Sequence, residues 1–169
     1  MKPVLETERL ILRPLTTEDD DAVFKWAGDP RVTRYLPYTT YVKAKDTQKW
    51  ISSISDDELE YGFVLKETGE LIGSGGVSPS EEDPAAYELG YNLRYDMWNK
   101  GLATEAAQAL IRYAHDIRGV RRFTAKHAVG NPASGRVMQK CGMTFSHYGQ
   151  YSKFDDSETF DAAFYELNF

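Results

Sequence analysis

The amino-acid sequence predicts an α/β (α+β) fold in which a mixed sheet is flanked by helices. Three observations lead there. The chain has 169 residues, 41% of them hydrophobic and 27% charged, which suits one globular domain long enough to bury its own core. Its segments alternate between the period-two pattern of strands and the helical period, in the order β-α-α-β-β-β-α-β-α-β-β. Strand–helix–strand units of this kind join in a mixed sheet. With no repeat, low-complexity tract or Pro/Gly-rich linker, residues 1–169 read as a single domain.

The elements follow in order. Leu10–Leu15 reads as a strand stopped by Pro14. Thr17 is expected to cap the next helix, whose acidic first turn, Glu18 to Asp21, suits the positive end of a helix dipole. That helix carries Val23, Phe24 and Trp26 and stops near Gly28-Asp29-Pro30. A second is expected from Ala44 to about Ser55, with Trp50, Ile51 and Ile54 at helical spacing. Strands Tyr61–Lys66 and Glu70–Val77 flank Glu67-Thr68-Gly69, a hairpin signal. Gly73, Gly75 and Gly76 mark a bulge or a close backbone approach. In Tyr87–Leu93, Tyr87, Leu89, Tyr91 and Leu93 alternate with Glu88, Gly90 and Asn92. A helix runs from Ala103 to Arg118 on the stripe Ala106, Leu110, Ala114 and Ile117, with Gly119 ending it. Val120–Val129 is a strand with Phe123, Ala125 and His127 on one face. Asn131-Pro132 opens a short helix that ends at Gly142. Strands near Met143–Tyr151 and Ala162–Phe169 close the series.

Charge and composition narrow the function. With 20 Lys plus Arg against 26 Asp plus Glu, the net charge is −6, which argues against a nucleic-acid-binding surface. The single cysteine, Cys141, leaves no disulfide framework or cysteine-rich zinc site, and no metal site is expected. No apolar run approaches the roughly 20 residues of a membrane helix. Met1-Lys2-Pro3-Val4-Leu5-Glu6 lacks the apolar core of a signal peptide. The expectation is a cytoplasmic domain with no membrane partner.

One stretch carries chemistry. The strand Glu88–Leu93 leads through a short loop into Trp98-Asn99-Lys100-Gly101-Leu102-Ala103-Thr104-Glu105-Ala106. The first turn of a helix leaves backbone N–H groups unpaired, and the helix dipole places about half a positive charge there. Gly101 and Ala103 leave room for a phosphate and Lys100 adds charge, so the turn suits a phosphate or pyrophosphate. It is neither a Walker loop, since Lys100 precedes the glycine, nor a Gly-x-Gly-x-x-Gly loop. On these residues alone, anion binding and an ordinary strand–helix turn both stay open.

This stretch resembles the acetyl-coenzyme A motif of the Gcn5-related N-acetyltransferases, in particular the branch that acetylates alanine or serine N-termini of ribosomal proteins. Four blocks are similar, in the same order. Glu6-Thr7-Glu8-Arg9-Leu10-Ile11-Leu12-Arg13-Pro14 resembles the opening strand and Glu88-Leu89-Gly90-Tyr91 the central strand. Trp98 to Ala106 resembles the pyrophosphate loop. Asn131-Pro132-Ala133-Ser134 through Val137-Met138-Gln139-Lys140-Cys141-Gly142-Met143 resembles the last shared helix. The resemblance implies a mostly antiparallel sheet whose central strand splays from the next one, with acetyl-coenzyme A in the gap. It puts the pyrophosphate on backbone N–H groups from Asn99 to Thr104, helped by Lys100 with Arg136 and Lys140. The cofactor-binding set it implies is Leu93, Trp98, Asn99, Lys100, Gly101, Ala103, Thr104 and Asn131. Four positions depart from the pattern: Trp98 (often Gln or Arg), Asn99 (often Gly), Met143 (usually Phe) and Met138, where many relatives carry a Tyr acting as general acid.

The implied chemistry is direct acetyl transfer to a primary amine. An α-amino group with a pKa near 7.8 is about a tenth neutral at pH 7, a lysine side chain less than about a thousandth, so an α-amine asks less of a base. Glu88 is the implied base, against the alternative of a solvated strand glutamate. Ser134 is expected either to protonate the leaving thiolate or to touch the coenzyme. Asn131 serves as a cap, as a contact, or as both. Cys141 and His127 read as packed residues. Trp26, Tyr35, Tyr38, Tyr41 and Trp50 fall in the segments that line the acceptor site in relatives. Three functions stay in view: acetylation of a protein N-terminus, acetylation of a small polyamine or aminoglycoside, and a coenzyme A-binding module without catalysis. The resemblance also allows a homodimer. The acidic balance favours a cationic acceptor.

Overall fold

The computed structural model describes residues 2–169. These contribute eight strands, β1 (Leu5–Glu6), β2 (Leu10–Arg13), β3 (Leu59–Leu65), β4 (Leu71–Pro79), β5 (Ala86–Leu93), β6 (Arg122–Ala128), β7 (Thr144–Ser152) and β8 (Thr159–Asn168). Five α-helices join them: α1 (Asp20–Ala27), α2 (Pro30–Thr33), α3 (Thr47–Ser53), α4 (Leu102–Asp116) and α5 (Pro132–Lys140). The strands form one sheet in the order β1-β2-β3-β4-β5-β6-β8-β7. β5 and β6 are parallel and the other neighbours antiparallel. The expected mixed, mostly antiparallel architecture is what forms.

Local chemistry explains most boundaries and three departures. The cap before α1 is Thr16 rather than Thr17. Asp19 accepts the Thr16 N–H at 2.8 Å and pairs with the Arg13 guanidinium at 2.9 Å, which fixes a 3-10 turn, Thr17–Asp19, ahead of the helix. Asp29-Pro30 starts a helix as well as ending one, because the Asp29 carboxylate accepts the Arg31 N–H at 3.0 Å and Pro30 takes the first helical position. Ile117 lies past the end of α4 and is exposed, so the apolar stripe stops at Ala114.

The glycines of β4 meet both expectations at once. The β3–β4 register shifts at Phe63/Val64, and a Cβ on Gly75 would stand 2.6 Å from the Gly90 carbonyl oxygen. The strands pass too closely there for a side chain.

Two apolar layers sandwich the sheet. On one face α4 packs Ala106, Leu110 and Ala114 against Tyr61, Phe63, Ile72 and Leu89, and Met138 of α5 joins them. On the other face Val23, Trp26, Ile51 and Leu71 form a smaller core under α1 and α3. Full burial of side chains this size stabilises by roughly 1.5–3 kcal/mol each before entropy is counted.

The feature that creates a site is a fork. β5 and β6 pair only at Ala86/Arg122, Tyr87/Phe123 and Glu88/Thr124. Beyond that point β5 stays on β4 as far as Leu93, and β6 stays on β8 as far as Ala128. A parallel pair that separates in mid-sheet leaves unpaired backbone along both edges of a gap.

Candidate active site

The loop after β5 is built to present donors. Arg94 bonds Asp96 at 2.6 Å and Glu70 at 3.0 Å, which anchors its start. The Trp98 indole N–H donates to the Leu93 carbonyl at 3.0 Å, so Trp98 holds the loop shut through its side chain. Asn99 and Gly101 both take positive φ, 60° and 76°. Among the described residues, none of the backbone N–H groups from Asn99 to Thr104 donates to a protein acceptor. Asn99, Lys100 and Gly101 are exposed; Ala103 and Thr104 are partly buried at the start of α4. A run of free donors at the positive end of a helix is the arrangement that holds a pyrophosphate, so these residues fit the group that the sequence implied.

Arg9 completes this loop, and sequence reasoning left it out. Its guanidinium donates to the Lys100 carbonyl and to the Glu105 carboxylate, both at 2.8 Å, and its own N–H meets Glu105 at 2.8 Å. Burial pushes the Glu105 carboxyl up, but bonds from Thr7 and Arg9 more than offset this and hold it below the usual carboxylate range. A Cβ on Gly101 would stand 3.4 Å from Arg9 Nη2, so the cation lies against the glycine face of the loop. Arg9 sits in the first of the four sequence blocks, yet only the fold brings the opening strand to the α4 terminus. Lys100, Arg136 and Lys140 are exposed.

The fork gathers a second group. Tyr91 of β5 reaches Ser134 of α5: its hydroxyl donates to the Ser134 carbonyl at 2.8 Å and lies 3.0 Å from Ser134 Oγ. Burial pushes the Tyr91 phenol well above its ordinary value. Met138, where relatives carry a tyrosine, is core with 2% exposure. Asn131 stands at the cap position of α5, but its side chain makes no capping bond. Glu88, at the last paired position, receives Lys126 Nζ at 3.2 Å. Cys141 is partly buried, and burial pushes its thiol up to about 11. His127 packs against Gly135 and bonds the Ala128 carbonyl at 2.8 Å, a structural histidine.

On the face shared by Glu88, α1, the segment after α2, α3 and the β7–β8 turn enclose a pocket of about 360 Å³. Trp26, Tyr38, Tyr41 and Trp50 line it, with Lys49 and Phe154. Tyr35 stands apart, edge-on to Phe160 with ring centres 5.6 Å apart. Phe154, which sequence reasoning missed, is tied to the other wall by its N–H bond to the Pro37 carbonyl at 2.7 Å.

Residues 9–144 match the acetyltransferase (GNAT) domain family. The chain belongs to the GNAT acetyltransferase family. It is 34% identical over 139 residues to an uncharacterized N-acetyltransferase, p20, of Bacillus licheniformis, covering 79% of this chain and 78% of that protein. A GNAT-family acetyltransferase structure from Bacillus anthracis superposes with a TM-score of 0.87 at 26% identity, over 98% of both chains. RimL, a ribosomal L7/L12 N-terminal acetyltransferase solved with coenzyme A, shares the fold with a TM-score of 0.84 at 19% identity, over 98% of both chains. GNAT membership makes this chain an N-acetyltransferase with acetyl-coenzyme A as its co-substrate. No helix among the described residues is long and apolar enough to cross a membrane.

Proposed function

We propose that this GNAT domain acetylates the α-amine of a peptide or protein N-terminus. The observation that carries the acceptor reading is the composition of the pocket on the Glu88 face. Its volume, about 360 Å³, lies at the small end for a ligand site and suits one or two residues. Its walls are aromatic, its one charged residue is Lys49, and no carboxylate lines it. A polyamine or aminoglycoside carries several cations and needs several carboxylates; an apolar first residue with one ammonium does not. The α-amine also needs the least help in losing its proton, because its pKa lies near 7.8.

The site's parts then take roles. Free N–H groups from Asn99 to Thr104, with Arg9 and Lys100, hold the pyrophosphate. The fork takes the pantetheine arm, and the free side chain of Asn131 stands at its edge. Ser134, hydrogen-bonded to Tyr91, supplies the proton for the leaving thiolate. Glu88, with Lys126 on its oxygens, draws a cationic acceptor towards the fork.

The test is a thiol-release assay with acetyl-coenzyme A and a panel of N-terminal peptides, spermidine and aminoglycosides. Peptides with small or apolar first residues should turn over at least tenfold faster than either polycation. Preference for a polycation would overturn the acceptor reading.

A further inference from the structure

Glu60 stands in a row that the strand register defines. It pairs with Gly76 on β4, and Gly76 pairs with Gly90 on β5. Gly90 lies two residues beyond Glu88, the last residue of β5 paired with β6. The row therefore ends at the open part of the fork. Side chains of paired residues share one face, and alternate residues of a strand share it too, so this is the face of Glu88 and of the aromatic pocket.

Neither of the two intervening positions carries a side chain, and Glu60 lies along the lane they leave. Its Oε2 is 2.6 Å from the point where a Cβ on Gly76 would stand. Nothing lies within 4 Å of the equivalent point at Gly90. Neighbouring strands are about 4.8 Å apart. The carboxylate covers the first step, so about one strand spacing of clear lane separates it from Gly90, enough for an amine nitrogen. Among the described residues the Glu60 carboxylate has no hydrogen-bond donor, whereas Glu88 is engaged by Lys126.

We infer that Glu60 receives the ammonium of the acceptor in this glycine lane and takes its proton, a role the sequence had assigned to Glu88. The inference rests on the acetyltransferase reading and deepens it.

Burial and the neighbouring Glu58 push the Glu60 carboxyl up to about 8, with Lys2 acting weakly in the other direction. The Tyr38 phenol, a wall of the pocket, is pushed up by burial and further by the nearby Tyr41 and Glu60. An α-ammonium titrates near 7.8, so passing its proton to Glu60 is close to thermoneutral. The neutral amine then forms a C–N bond to the acetyl carbonyl carbon. The C–S bond breaks with its electron pair on sulfur, Ser134 passes its proton to that thiolate, and the second amine proton replaces it on Ser134. The proton held by Glu60 returns to water. Because Glu60 is mostly protonated below pH 8, binding an ammonium there releases a proton.

The experiment compares wild type with Glu60→Gln and Gly90→Val, using an N-terminal peptide as acceptor. A Cβ at Gly90 meets nothing within 4 Å, so Gly90→Val puts its side chain into the lane. At pH 7 both variants should lose about 100-fold in kcat/KM for the peptide, with coenzyme A affinity unchanged by calorimetry. The Glu60→Gln defect should narrow above pH 9, where the amine is neutral without help. Calorimetry in buffers of different ionisation heat should show proton release on peptide binding to wild type and none with Glu60→Gln. If Glu60→Gln stays within about threefold of wild type while wild type turns over, the Glu60 role is wrong and the acetyltransferase reading stands. If wild type releases no thiol with any amine, both fall.

Discussion

The hydroxyl of Tyr91 lies 3.0 Å from Ser134 Oγ and donates to the Ser134 carbonyl at 2.8 Å, joining β5 to α5 at the place where β5 and β6 part. One side chain thus braces the fork and orients the serine. In the proposed mechanism Ser134 takes the place of the tyrosine that relatives carry at Met138, and Tyr91, kept protonated by its own burial, orients it.

Tyr91→Phe keeps the ring and removes only the brace. The expected result is a roughly fivefold lower kcat with little change in coenzyme KM, since one hydroxyl contributes about 1 kcal/mol. Ser134→Ala should cost at least as much, and the double variant no more than Ser134→Ala alone. Steady-state kinetics on all four proteins measures the coupling; additive losses would show that the two hydroxyls act separately.

Arg9 links the opening strand to the loop before α4, at the Lys100 carbonyl and Glu105. Arg9→Ala should raise the Kd for acetyl-coenzyme A about 5- to 20-fold and leave kcat nearly unchanged. Its ion pair is substantially exposed, so the melting temperature should move by only a degree or two. Calorimetric titration beside a thermal melt separates the two effects. A large loss of stability with unchanged affinity would make Arg9 a structural residue only.

Glu60 also predicts a pH dependence of stability. Its folded pKa, about 8, lies above its ordinary value of 4.5. Between those values the unfolded chain gives up the proton while the folded chain keeps it, so folding weakens as pH rises through that window. The full penalty applies above pH 8 and none below about pH 4.5. Glu60→Gln escapes it. The variant should match wild type at pH 4.5 and be more stable at pH 8.5, by on the order of 2 kcal/mol once partial exposure is allowed for. That is about 5 °C in Tm for a domain this size. Parallel melts at the two pH values check the sign: a constant difference would place Glu60 in ordinary solvent.

Cys141, whose thiol burial pushes up to about 11, should resist iodoacetamide at pH 7.5 and react only on unfolding. Cys141→Ala should retain wild-type kcat, as direct transfer needs no thiol nucleophile. Mass spectrometry of labelled native protein reads the first point and initial rates the second.

Much of the fold was legible in the chain because its signals are local. Alternation in Tyr87–Leu93, the Ala106/Leu110/Ala114 stripe, Asn131-Pro132 and the glycines at positions 119 and 142 each act within a few residues. The errors were local as well. Thr16 and Thr17 differ only in which one is held by Asp19, and Asp29-Pro30 carries a stop and a start in the same two residues. The donor-rich turn at the start of α4 was legible for the same reason: Asn99 to Thr104 are contiguous, and a helix start leaves their N–H groups free wherever it falls.

The rest depended on distance along the chain. By itself the sequence determined the order of all the main elements except β1 and α2, the donor-rich turn at α4 and the presence of acidic and hydroxyl groups suited to acyl transfer. Tertiary structure decided which of them meet. Arg9 reaches Glu105 across 96 positions and Tyr91 reaches Ser134 across 43. Glu60 gains its lane only because the register sets Gly76 and Gly90 in line with it. No propensity or spacing encodes a register across three strands; it is set by burial of both sheet faces at once, and a one-residue slip would turn every one of these side chains to the other side.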